Sequence, residues 1–202
     1  MTVAAKRPSD TLVALWIVLI AHGLILTSPA LAAGPWKGQV VDAESSQPLA
    51  DVIVFAVWWK RLPALIHEGR SFYYAAEVAT SSSGQFTIPA VATFTIIPFT
   101  RIDGPTLTIF RPGYGAWRFR GQPPYPGVAM RELDAFQDRA WKQFQAQGVV
   151  LELPGLRSID KQPQFNESCW LSDAIPASEG VRLRQAVESE WKELARLKSG
   201  GR

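Results

Sequence analysis

The sequence predicts a mainly β chain, an antiparallel β-sandwich followed by a C-terminal extension of two helices and a short strand. Three observations carry this. In DVIVFAVWW (residues 51–59), Val52, Val54, Ala56 and Trp58 alternate with Ile53, Phe55, Val57 and Trp59. Both sets are apolar, so this strand is expected to be covered on both faces. Turn formers recur between β-branched and aromatic runs from Gly38 to Phe110, the pattern of an antiparallel sandwich. From Met130 onward the apolar spacing changes from alternation to a helical period.

The elements follow in order. Residues 1–33 place Lys6 and Arg7 ahead of an apolar run from Leu12 to Leu26, then TSPALAA. This is the layout of an export signal, with Ala30 and Ala32 set for cleavage after Ala32. The competing reading is a retained anchor, but a spanning helix needs about 20 apolar residues and this run is shorter and holds His22 and Gly23. The expectation is therefore an exported chain, periplasmic or secreted, with no stable membrane span after cleavage.

Gly38–Val41 reads as a short strand, AESSQP as a turn, and residues 51–59 as the two-faced strand. Residues 60–71 read as a loop, and FYYAAEVAT as a strand with Phe72, Tyr74, Ala76 and Val78 inward. SSSG turns into QFTIPAV, which ends at Pro89, and TLTIF (106–110) is a further strand. Residues 111–127, rich in Pro and Gly, form an irregular crossing. Met130, Leu133, Phe136, Ala140, Trp141 and Phe144 mark a helix closed by Gly148, and VVLELP a short strand. After a Pro-containing loop, Leu183, Val187, Trp191 and Leu194 stripe a last helix from about Ser178 to Lys198, with Glu179 and Lys198 suiting its dipole. An amphipathic helix must bury its stripe, so at least one helix is expected to pack on the sandwich and make one unit with it.

The spacing GxVVDAxxxxPLxxxxV, set by Gly38, Val40, Val41, Asp42, Ala43, Pro48, Leu49 and Val54, resembles the carboxypeptidase regulatory-like family. Thr80 with Gly84, Gln85 and Phe86 is similar to that family's TxxxGxF turn, and Gly113-Tyr114 to its closing GY. The resemblance implies an Ig-like, prealbumin-type (transthyretin-like) sandwich over residues 36–116, between a signal at 1–32 and an extension at 117–202. It also implies an accessory or interaction domain without catalysis. Asp51 departs from the family's frequent Gly, Ser81 from its frequent Asp, and Lys60–Val78 is longer than a minimal version.

Composition narrows the chemistry. In 202 residues, 47% hydrophobic content with 19% charged suits a real core, and a formal charge of only +3 without a dense basic run argues against nucleic-acid binding. One cysteine, Cys169, excludes an internal disulfide framework and a multi-cysteine zinc site. His67 stands alone beyond the export segment, and no GxSxG elbow accompanies it. The acidic residues Asp42, Glu44, Glu77 and Asp103 could be paired on paper as glycosidase groups, yet nothing in their spacing marks them. No cofactor is expected.

Two function classes remain. One is a non-enzymatic interaction or structural module of the cell envelope, taking a protein partner on a sheet edge. The other is a carbohydrate-binding module in which Trp58, Trp59, Tyr73 and Tyr74 stack on polysaccharide; the opposing account is that these rings fill the core. Arg111, Arg118 and Arg120 alternate with Tyr114, Trp117, Phe119 and Tyr125, a pattern expected to form cation–π contacts within the loop. Asn166-Glu167-Ser168 is a glycosylation sequon.

Overall fold

The computed structural model describes residues 32–62, 69–96, 99–124, 127–156 and 171–200. The chain divides into two compact units, Met1–Leu31 and Ala32–Arg202, and every described residue belongs to the second. The predicted export segment, His67, Cys169, Tyr125 and the sequon lie outside the described residues, as do the side chains of Leu197 and Lys198.

β1 (Ala32–Ala33) is a two-residue strand against β6 (Val91–Ala92). β2 (Trp36–Asp42) is followed by a tight turn in which the Asp42 carboxylate accepts from the Glu44 and Ser45 N–H groups at 2.9 and 2.7 Å. β3 (Ile53–Arg61) and β4 (Arg70–Ala79) form an antiparallel hairpin, so two strands extend into the predicted loop. β5 (Gln85–Ile88) precedes β6. β7 (Arg101–Phe110) starts earlier than predicted, running through Gly104 and the cis peptide bond to Pro105. Pro105 is tolerated because β7 pairs only with β3 and is an edge strand.

β8 (Arg118–Phe119), α1 (Met130–Ala146), β9 (Val149–Leu153) and α2 (Val181–Gly200) complete the chain. α1 closes where Gly148, at φ +94°, sits so near the Lys37 carbonyl that a Cβ would lie 2.8 Å from its oxygen.

The architecture is mainly β, with two helices among the described residues. One sheet has the order β4-β3-β7 and is antiparallel throughout. A four-stranded sheet has the order β5-β2-β9-β8, and in it β2 and β9 run parallel, a departure from the all-antiparallel expectation; β1 and β6 form a small two-stranded sheet of their own. β9 follows α1 and lies between β2, to which it runs parallel, and β8, to which it runs antiparallel. The extension is thus built into the sheet, with β8 and β9 supplying two of its strands.

The two faces of β3 serve two cores. Val54, Ala56 and Trp58 join Val40, Phe86, Leu151 and Phe144 in a core drawn from both sheets and α1. Trp36, Trp117, Trp141 and Phe144 pack edge to face in it, with Trp36 and Phe144 centroids 5.1 Å apart. Ile53, Phe55, Val57 and Trp59 point the other way, under Leu183 of α2 and Ile175. The cover that the two-faced strand demands on its outer side is therefore the last helix. Its start is tied down from β4, where Glu77 accepts the N–H groups of Arg182 and Leu183 at 3.2 and 2.7 Å. No helix among the described residues is long and apolar enough to cross a membrane.

Candidate interaction surface

Trp58 and Trp59 are consecutive on β3, so they face opposite sides and enter different cores, both buried. Neither offers a ring face to solvent. Trp59 is further covered by Arg70, whose guanidinium carbon lies 3.8 Å from the indole centroid, a cation–π contact. Burial first, and the neighbouring Arg61 second, pull the Arg70 pKa below its ordinary value, and it remains a cation at neutral pH.

Across the hairpin, Trp58 pairs with Tyr74 and Trp59 with Phe72, which leaves Tyr73 as the extra residue of a bulge. The bulge reverses the alternation of β4. Ala76 and Val78 pack in the inter-sheet core as predicted, while Phe72 turns to the α2 side. Tyr73 and Tyr74 stay partly exposed: the Tyr73 hydroxyl donates to the Ala92 carbonyl at 2.9 Å, and the Tyr74 ring is tilted 52° to Trp58. The four predicted aromatic positions therefore do not make one flat sugar-stacking face.

What the structure does assemble lies at the same end of the three-stranded sheet. The connection between β6 and β7 leaves Phe94 61%, Ile96 86% and Phe99 85% exposed. Its two ends are anchored here: Ala92 accepts the Tyr73 hydroxyl, and Arg101 pairs with Arg61 in the ladder. Leu62, next after Arg61, is exposed, with its N–H donated to the Gly69 carbonyl. Isolated exposed apolar residues are ordinary, but a contiguous group marks a contact site.

The strand ends here carry Lys60 and Arg61 on β3, Arg70 on β4 and Arg101 on β7. Asp103 is shared by Arg61 at 2.7 Å and Arg101 at 3.0 Å. One carboxylate facing two guanidinium groups leaves these strand ends net cationic. The sequence reading missed the exposure of Phe94, Ile96 and Phe99 because ATFTIIPFT has the composition of a buried strand. Pro98 was the available signal, since a proline within such a run argues against a central strand.

The remaining candidates are occupied in holding the fold. Asp42 caps its turn, Glu77 caps α2, and Asp103 bridges two arginines. A groove of about 370 Å³ beside β2, β5 and the end of α1 is lined by polar residues such as Gln39, Gln85, Gln143 and Gln147. Arg111 lies 5.3 Å from the Tyr114 centroid, as the alternating pattern predicts. Arg118 and Arg120 instead both reach Glu152, at 3.1 and 3.2 Å. They do so because β8 and β9 pair side by side, bringing the charges of adjacent strands together. Among the described residues no group of three or more His, Cys, Asp or Glu could hold a metal ion.

No protein-family model, no curated protein and no solved structure matches this chain.

Proposed function

We propose that the chain is an exported, non-enzymatic interaction or structural module of the cell envelope, acting through the apolar end of its three-stranded sheet. The observation that carries this reading is the exposure of Phe94, Ile96 and Phe99 together on one connection whose ends are hydrogen-bonded into the sheets. Exposing that much apolar area to water is unfavourable, and a contact that covers it recovers the loss. The prealbumin-type sandwich belongs to this proposal. Its support is a core drawn from both sheets, together with the packing of the motif residues Gly38, Thr80, Gly84 and Phe86.

The test is photo-crosslinking of the tagged full-length chain in its own envelope, with the reactive residue at Phe99 and, as a control, at Gln145 on the exposed side of α1. A discrete adduct from position 99 and none from 145 is the expected outcome. Equal labelling at both, or at neither, overturns the proposal.

A further inference from the structure

We propose that the grooves where α1 meets the four-stranded sheet bind an anionic oligosaccharide, its carboxylates taken by Lys37, Arg120 and Arg139 and its hydroxyls by glutamine carboxamides. The site shares no residue with the apolar end and is independent of the contact proposed there.

The polar wall follows from strand alternation. Trp36, Val40, Phe86 and Leu151 enter the core, so the residues between them on β2 and β5 face away from it. Lys37 lies opposite Thr87, Gln39 lies opposite Gln85, and Val150 of β9 is the other neighbour of Gln39. On α1, Phe136, Arg139, Ala140 and Gln143 share one face through their helical spacing, and Gln147 follows as the C-cap. Two open grooves result, of about 370 and 430 Å³, with Gln143, Val149 and Val150 in the walls of both. Each has the size of a small-ligand site.

The lining selects the ligand. Gln39, Gln85, Gln143 and Gln147 each offer both donors and an acceptor, the pair of functions that a sugar hydroxyl needs from its partners. Gln39 is already oriented, its amide nitrogen donating to the Ser83 carbonyl at 2.9 Å, so less freedom is lost on binding. Lys37 lines the first groove and Arg120 and Arg139 the second, and neither lining includes an acidic residue. Glu152, two residues beyond Val150, is shared by Arg118 and Arg120. A ligand that carries carboxylates among its hydroxyls complements this charge. An acidic peptide strand fits less well. β2 lies between β5 and β9, and β9 between β2 and β8, so neither strand has a free edge for a peptide to extend.

The test is amide-resolved NMR of the full-length chain, titrated with trigalacturonic acid, with maltotriose as the neutral trisaccharide, and with pentaglutamate as the acidic peptide. Expected with trigalacturonic acid are shifts centred on Lys37, Gln39, Gln85, Arg139 and Gln143, and maltotriose binding weaker by at least about tenfold. Arg139→Gln weakens trigalacturonic acid about tenfold with the urea midpoint unchanged, while Arg111→Gln, outside the grooves, leaves the affinity as it was. Gln143→Ala, in both walls, weakens both trisaccharides.

Equal affinity for the two trisaccharides overturns the anionic assignment. Tighter binding of pentaglutamate than of trigalacturonic acid overturns the saccharide. Shifts that fall only outside the grooves, or none with any probe, overturn the site.

Discussion

Phe86 lies across the strand from Gly38, and a Cβ built on that glycine would sit 2.6 Å from the Phe86 ring. The glycine is needed for close approach and not for its dihedral freedom. Gly38→Ala is expected to cost about 1–3 kcal/mol through overpacking, read as a lower urea midpoint with unchanged slope. Asp51 shows the opposite case. It adopts φ +58° with a side chain present, at the position where the resembled family often carries glycine. Asp51→Gly removes the left-handed strain, and the gain is expected to be up to about 1 kcal/mol after the added freedom of the unfolded chain is deducted. Thr80 is buried, donating its hydroxyl to the Leu49 carbonyl at 2.6 Å and accepting the Val52 N–H at 2.9 Å. The sequence reading singled out Thr80, Gly84 and Phe86 through a motif spacing, while the partners that give them their roles, Leu49, Val52, Val40 and Gly38, are distant in sequence and meet them only in the fold. It could not place Trp58 and Trp59, since alternation says that consecutive residues face apart but not what covers each side.

Among the elements, α2 illustrates how a helix is held by a distant strand. Its first turn has no acidic residue, and Glu77 of β4 supplies the negative charge and the acceptors that an N-terminus requires. Glu77→Ala is expected to destabilise by about 1–2 kcal/mol, with amide exchange accelerating first at Arg182 and Leu183. At the other end, Lys192 and Arg196 hold the Glu188 and Glu193 carboxyls below the ordinary 4.5 through side-chain hydrogen bonds first. A depressed folded-state pKa stabilises above the unfolded value, and that support is lost as pH falls through the folded one. Exchange in the later turns of α2 is therefore expected to quicken below about pH 4.5. Added salt at neutral pH should reproduce part of the effect, because these pairs are exposed. The helix itself was legible from its apolar stripe. Its cap was not, because Glu77 and Leu183 meet only when β4 and α2 are packed.

On the scale of the whole molecule, β3 is shared by two cores, so the inter-sheet packing and the α2 packing are not independent. Leu183 is fully buried over the outer face of β3. Leu183→Ala is expected to cost about 2–5 kcal/mol, and calorimetry should show one transition at lower temperature. Two separated transitions would contradict the shared strand as the coupling element.

The sequence by itself determined the two-faced strand at 51–59, the helical spans and the mainly β character. Each follows from the period of apolar residues along a few neighbouring turns or strand positions. The tertiary structure alone decided that β9 lies parallel to β2, that α2 covers the outer face of β3, and that Phe94, Ile96 and Phe99 remain in water. The physical reason is that periodicity records which residues seek burial, while burial itself depends on whether another part of the chain arrives to provide it.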